Sequence, residues 1–277
     1  MHTNEIGLIA MDMDGTLLDS HQRISRENLR ALKQARAQGV RLAICSGRLP
    51  GDVAIFLLEN GLEDCAILSL NGAYCLRSPL GEAFANHVLT DAALEAAVRI
   101  LWDARLTFGC FAQNRLAIFE GAMSVEDETW GTNTTGPCAP EYLYGGAGLE
   151  EARRTGVNKL LCVAGDEAVL ADVRRRLEGV EGLDVTSSWK MNLELMPAGV
   201  GKGSAVKELA ESLGLIARQV MAFGDYDNDE SMIAYAGLGV AMANATQSVK
   251  NAAKLITLSN DENGVAWAVE RRVLLRP

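Results

Sequence analysis

The chain has 277 residues and a formal net charge of −10, with hydrophobic residues at 48% and charged residues at 22%. That balance fits one large or two modest globular domains, and with no basic tract it argues against non-specific binding to nucleic acid. No apolar run approaches the ~20 residues that a membrane-crossing helix needs, and residues 2–5 are too polar to open a secretory signal. The six cysteines (45, 65, 75, 110, 138 and 162) form no Cys-x-x-Cys pair and read as reduced, buried thiols of a cytoplasmic protein. His2, His21 and His87 lack metal-ligand spacing.

In chain order, 6–11 reads as an apolar strand that runs into Asp12-Met13-Asp14-Gly15-Thr16. In extended chain, residues i and i+2 face one side, so Asp12 and Asp14 can reach a common space at the strand's end. Ser25 can cap a helix carrying Leu29 and Leu32, with Gly39 as its stop. A second strand over 40–45 precedes Ser46-Gly47-Arg48, a helix covers part of 52–60, and a third strand over 65–70 ends at Asn71-Gly72. Strands alternating with helices predict an α/β fold with a doubly wound parallel sheet.

The middle differs. A helix is expected over 90–105, with Leu94, Val98 and Leu101 on one face. Short strands follow at 106–111 and 115–120 around a Gln113-Asn114 turn. Residues 121–148, rich in Gly, Thr and Pro, read as loop. A strand at 159–164, a helix with Leu170, Val173 and Leu177 inward, and strands at 183–189 and 192–196 complete the region. This places an inserted α/β unit at 83–188 between two segments of a discontinuous core, 1–82 and 189–277. Alternation resumes with helix 203–213, strand 219–223, helix 228–236, strand 238–242, helix 246–253, strand 255–258 and helix 264–273.

Four separated pieces fall at strand ends or helix starts: Asp12/Asp14, Ser46, Lys202 and Gly224-Asp225-Tyr226-Asp227-Asn228-Asp229. A parallel sheet gathers such ends on one edge. Phosphoryl transfer needs an in-line nucleophile, a divalent cation and donors around the equatorial oxygens. A carboxylate can attack phosphorus and a neighbouring acid can move protons. Asp12 and Asp225 offer hard oxygen ligands suited to Mg²⁺, Ser46 a hydroxyl donor, and Lys202 a point charge for a phosphoryl oxygen. Taken singly, each piece has an ordinary reading: turn acids, a helix-capping serine, a solvated lysine. Asp227 reads as solvated and Arg48 as structural. The segment Gly199-Val200-Gly201-Lys202-Gly203-Ser204 fails the nucleotide-loop pattern because Gly follows Lys. Trp130, Tyr142, Tyr144 and Trp189 are given no binding role.

The chain resembles the haloacid dehalogenase superfamily of phosphatases, and closely its Cof-type subgroup with an inserted α/β cap. The matching pieces are Asp12-x-Asp14-Gly15-Thr16-Leu17-Leu18, Ser46-Gly47-Arg48, Asn71-Gly72, Pro197-x-Gly199-Val200-Gly201-Lys202-Gly203 and Gly224-Asp225-x-x-Asn228-Asp229. Further matches are Gly237-x-Gly239-Val240-Ala241-Met242-x-Asn244 and Asn263-Gly264-Val265-Ala266. The resemblance implies Asp12 as nucleophile and Asp14 as proton donor and acceptor, with Asp12, the Asp14 carbonyl and Asp225 holding Mg²⁺. It implies phosphate contacts from Ser46, Gly47, Lys202 and Asn228, an outer-sphere role for Asp229 shared with Asn228, and a possible substrate contact from Asn71. Gly201 departs from the serine or acidic residue expected before the lysine. The implied substrate is a small phosphorylated metabolite: a sugar phosphate, a nucleotide or a cofactor phosphate. A phosphotransferase would use the same chemistry. A receiver domain shares the acids and lysine but needs a much shorter chain, and a silent binding protein would not need Asp12, Asp14, Ser46, Lys202 and Asp225 all intact.

Overall fold

In the computed structural model, Leu8–Met11 (β1) is buried at every residue, as an apolar strand covered on both faces must be. The structure describes residues 6–121, 135, 136 and 138–274; His2 and Trp130 lie outside them. β1 is followed by α1 (Arg26–Ala37), β2 (Arg41–Cys45), α2 (Pro50–Glu59) and β3 (Ala66–Ser69). Ser25 caps α1 by accepting the Asn28 N–H at 3.1 Å. A single 3-10 turn, Leu70–Gly72, then carries two non-glycine residues at positive φ, Leu70 (50°) and Asn71 (54°), a conformation that costs energy unless the surroundings hold it. The hairpin β4 (Tyr74–Leu76) and β5 (Ala83–Asn86) follows; the sequence reading did not foresee it.

The chain then builds a second sheet. Its elements are α3 (Asp91–Asp103), β6 (Thr107–Ala112), β7 (Arg115–Phe119), β8 (Glu141–Tyr144), α4 (Gly145–Thr155), β9 (Lys159–Val163), α5 (Glu167–Leu177), β10 (Leu183–Thr186) and β11 (Asn192–Pro197). The sheet has six strands in the order β10-β11-β9-β6-β7-β8. β8 and the start of α4 replace the loop expected up to residue 148. Glycines at 145, 146 and 148 hide this helix because Gly opposes helix formation. Ala152 is nevertheless buried in the sheet's apolar cluster, which outweighs the propensity. Side chains alternate across the strands. Phe108, Cys110, Leu160, Cys162, Leu193 and Leu195 join a cluster with α3, α4 and α5, while Phe111, Leu116, Ile118, Leu161, Val163 and Met196 pack on Leu49, Leu70 and Ala73 of the first unit.

The last stretch returns through α6 (Lys202–Ser212), β12 (Val220–Gly224), α7 (Glu230–Tyr235), β13 (Leu238–Ala241), α8 (Gln247–Ala252), β14 (Leu255–Ile256) and α9 (Gly264–Val269), which ends in a wider turn over Glu270–Leu274. The large sheet has eight strands in the order β14-β13-β12-β1-β2-β3-β4-β5. It is parallel from β14 to β3 and antiparallel through β4 and β5. The strand order reverses at β1, so the crevice beyond β1 and β12 is the place where such sheets bind ligands. Sheet membership changes later than the expected limits of 83 and 188: β5 (Ala83–Asn86) belongs to the large sheet, and β11 (Asn192–Pro197) to the small one. No helix among the described residues is long and apolar enough to cross a membrane.

Candidate active site

Asp12 is the first residue past β1, and its N–H donates to Phe223 O of β12 at 3.1 Å. Met13 is fully buried in the core, and the acids on either side lie at different depths. Asp12 is 6% exposed, whereas the Asp14 side chain is 46% exposed. The turn closes through Leu17 N–H to Asp12 O at 3.3 Å. It passes through Gly15 at φ +80, where a Cβ would stand 2.4 Å from Asp225 Oδ2. Both the backbone angle and that approach require glycine. Thr16 Oγ1 donates to Asp225 Oδ1 at 2.8 Å, so one short loop supplies Asp12 and also braces Asp225.

Lys202 opens α6, where a cation opposes the helix dipole, and it is nonetheless 1% exposed. Its Nζ donates to Asp12 Oδ1 and to Asp229 Oδ1, each at 2.6 Å. Burial works against the charged ammonium, but Asp12 and Asp229 outweigh it and raise the lysine pKa. Asp229 Oδ2 accepts the N–H groups of Asp225 (2.9 Å) and Tyr226 (3.1 Å). With both oxygens engaged, Asp229 is a brace between Lys202 and the loop after β12. Gly201, the departure noted above, is at an extended φ of −169 with its N–H donating to Ser204 Oγ at 2.9 Å; Lys202 reaches the site regardless.

Asp12, Asp225 and Asp229 place their ligand oxygens within 4.8 Å of one another. Burial pushes the Asp12 carboxyl well above its ordinary pKa, Lys202 opposes the rise, and Asp229, Asp225 and Asp14 add to it. Burial, then the charge of Asp229, pushes Asp225 up to about 7 against the Thr16 hydrogen bond. Lys202 balances one of these three buried or half-buried acids. A hard divalent cation held by Asp12 and Asp225 would relieve the remaining repulsion, so the donor set fits such an ion.

Ser46 follows β2 and is 1% exposed. Its N–H donates to Leu68 O at 3.0 Å, its carbonyl accepts the Asn71 N–H at 2.9 Å, and its Oγ accepts the Arg48 N–H at 3.2 Å. The Arg48 guanidinium grips Asp14, with Nε at 2.8 Å from Oδ2 and Nη2 on Oδ1, and reaches Gln22 Oε1 at 2.6 Å. Arg48 thus stands at the site beside Asp14. Asn228 Nδ2 donates to Asn71 Oδ1 at 3.3 Å, and Asn71 Nδ2 donates to Glu194 Oε2 at 2.9 Å. Exposed Asp227 accepts from Thr246 (3.2 Å) and Ser248 (2.9 Å), away from the acids. Asn71, Lys202 and Asn228 also line a cavity of about 460 Å³ with Met196 of β11 and Thr186 of β10, a size suited to a small metabolite.

The sequence reading missed two residues of this cluster. Lys159 and Glu194, each 1% exposed, form an ion pair at 2.7 Å between β9 and β11. Burial works against ionised Glu194, but the charge and hydrogen bond of Lys159 and the hydrogen bond of Asn71 overcome it and hold the carboxyl below its usual range. A charged residue inside an otherwise apolar strand was the available signal.

Comparison with known proteins accords with this geometry. A family model described as haloacid dehalogenase-like hydrolase matches residues 9–269. The chain belongs to this family. The hydrolase is 31% identical over 95% of its length to a 5-amino-6-(5-phospho-D-ribitylamino)uracil phosphatase of Bacillus subtilis, covering 96% of that protein. It is 30% identical over 88% of its length to an HMP-PP phosphatase of Klebsiella pneumoniae, covering 86% of it. Among solved structures, a haloacid dehalogenase-like hydrolase from Bacteroides thetaiotaomicron superposes with a TM-score of 0.77 at 31% identity, covering 96% of this chain and 99% of that one. The hydrolase is a phosphatase of this family.

Proposed function

We propose that the phosphatase hydrolyses the phosphomonoester of a small metabolite with Mg²⁺, through an aspartyl-phosphate on Asp12. The observation that carries this reading is the placement of Asp12: a buried carboxylate at the β1/β12 crevice, held by Lys202 and set beside Asp225. An Asp12 oxygen attacks phosphorus in line, and the bond from phosphorus to the leaving oxygen breaks. Asp14, on the more exposed side of the site, gives that oxygen a proton. Asp14 then takes a proton from the water that attacks phosphorus, and cleavage of the P–O bond to Asp12 frees inorganic phosphate and the carboxylate. Lys202, the Ser46 hydroxyl, the turn at Gly47 and the Asn228 amide hold the phosphoryl oxygens. Asp12, Asp225 and the Asp14 carbonyl would hold Mg²⁺, which would supply positive charge between carboxylate and phosphate. Asp229 keeps Lys202 and the Asp225 loop in register.

The inserted unit acts as a cap that sets substrate choice, supported by the β10 and β11 residues that line the cavity beside Lys202 and Asn228. The two relatives named above act on phosphorylated small molecules, which favours a sugar phosphate, nucleotide or cofactor phosphate here. The free cysteines suit a reducing cytoplasm: five of the six are buried, and burial pushes Cys110 and Cys162 up to about 12. The test is phosphate release from a panel of phosphorylated metabolites, with Mg²⁺ and with a chelator. Mg²⁺-dependent release from a subset is expected. Release that survives chelation, or none from any member, would count against the reading.

A further inference from the structure

A buried charge pair from the second sheet reaches into the turn that carries Ser46. Lys159 Nζ donates to Gly47 O at 2.6 Å and to Glu194 Oε1 at 2.7 Å, and it lies 4.4 Å from the centre of the Phe111 ring. Gly47 sits inside this cradle. A Cβ there would stand 3.1 Å from Glu194 Oε1, 3.3 Å from Asn71 Oδ1 and 3.4 Å from Lys159 Nζ. The carbonyl that Lys159 holds and the Arg48 N–H belong to one peptide plane, which is rigid. The other edge of that plane donates to Ser46 Oγ at 3.2 Å.

We propose that Lys159, kept charged and in place by Glu194, is a positioning residue that fixes the Gly47–Arg48 peptide plane and thereby aims the Ser46 hydroxyl at the phosphoryl group. The logic is one of donors and acceptors. A serine oxygen that accepts the Arg48 N–H has its own proton free to point elsewhere. If the plane rotates, Ser46 loses that acceptor contact and its hydroxyl is no longer directed. Holding the plane by its carbonyl alone would need only a neutral donor. A buried ammonium makes a stronger, charge-assisted bond, and Glu194 supplies the charge balance that permits an ammonium there. Through Asn71, the same carboxylate also ties down the Asn228 amide. The second sheet thus contributes to the chemistry of the first through a backbone plane, without touching the phosphate.

The inference rests on the assignment of Ser46 as a phosphate contact, and the test separates the two. Lys159→Met alone would strand Glu194, so the working variant is the neutral pair Lys159→Met/Glu194→Gln, checked for folding by thermal unfolding and circular dichroism. Lys159→Gln/Glu194→Gln is equally neutral but restores an N–H for the Gly47 carbonyl. Each is combined with Ser46→Ala, and kcat/KM is measured for one phosphoester under saturating Mg²⁺. In the wild type, Ser46→Ala is expected to cost roughly tenfold or more. In the Lys159→Met pair, which itself loses a comparable factor, Ser46→Ala should cost less than about threefold, because an undirected hydroxyl has little left to lose. In the Lys159→Gln pair the full cost should return. Losses that multiply in both pairs, or a Lys159→Met pair as active as wild type, would overturn the positioning role and leave Ser46 untouched. Failure of either pair to fold would also overturn it, since the pair would then serve the fold. No effect of Ser46→Ala in the wild type would overturn both assignments.

Discussion

Asp12→Asn is expected to abolish turnover while leaving the fold nearly as stable as wild type, and the distances explain the second half. The ligand oxygens of Asp12, Asp225 and Asp229 lie within 4.8 Å of one another. At an effective dielectric constant of about 20, a like-charged pair at that separation repels by about 3.5 kcal/mol. The substitution removes two such repulsions. It also removes the attraction of Lys202 Nζ at 2.6 Å, about 6 kcal/mol on the same scale. Gain and loss are opposite in sign and differ by about 1 kcal/mol, burial of the Asp12 carboxyl also favours the uncharged side chain, and the asparagine oxygen still accepts from Lys202. The metal-free variant should therefore melt no more than about 4 °C below wild type. Its rate should fall by a factor on the order of 10⁴ or more, as expected when a nucleophile is removed. Thermal unfolding in metal-free buffer and hydrolysis of an aryl phosphate with Mg²⁺ supply both readouts. A folded variant retaining more than about one hundredth of the wild-type rate would refute the nucleophile assignment. A melting temperature lower by about 15 °C would refute the charge balance.

Three further outcomes are expected. Asp14→Asn should slow alkyl phosphates far more than nitrophenyl phosphate, whose leaving group needs little protonation; equal losses across both would exclude Asp14 as proton donor. Gly15→Ala drives a methyl to 2.4 Å from Asp225 Oδ2, so the Mg²⁺ concentration for half-maximal rate should rise by roughly tenfold or more, and an unchanged Mg²⁺ titration would show that the loop does not set the position of Asp225. Glu194 is held below its usual range by Lys159 and Asn71, which overcome the opposing effect of burial. Its contribution to stability is therefore present above the unfolded carboxyl value of about 4.3 and is lost as pH falls through its lower folded value. Melting temperatures between neutral pH and about pH 3 should drop less steeply for Lys159→Met/Glu194→Gln than for wild type, and parallel curves would contradict this.

Much of the site could be read from residue order because its parts sit where backbone rules put them. Asp12, Ser46 and Asp225 each follow a buried parallel strand, and a parallel sheet aligns those ends. Lys202 was legible for a different reason: a cation at a helix start needs an anionic partner. Asp229 reads from sequence as one acid among three, and only the loop's own N–H groups reveal why it braces while Asp227 faces out. Lys159 and Glu194 stand out as charges in apolar strands, but their pairing was not legible. Lys159 opens its strand after Asn158, and the four residues that follow it, Leu160 to Val163, are all apolar, so alternation gives no face. The pairing of Asn192 with Val163 and of Glu194 with Leu161 sets Lys159 diagonally across from Glu194, on one face of the sheet. That register is fixed by long-range packing. The β4–β5 hairpin escaped for a simpler reason, since strands of three and four residues are too short to show a period.

The Lys159–Glu194 contact bears on how chimaeras of this phosphatase should be cut. An exchange limited to 83–188 would import a foreign residue at the position of Lys159 and keep the native Glu194, dividing one buried ion pair between two parents. A splice placed beyond Pro197, where β11 ends, moves both partners together and leaves Gly47 to meet a pair drawn from one parent.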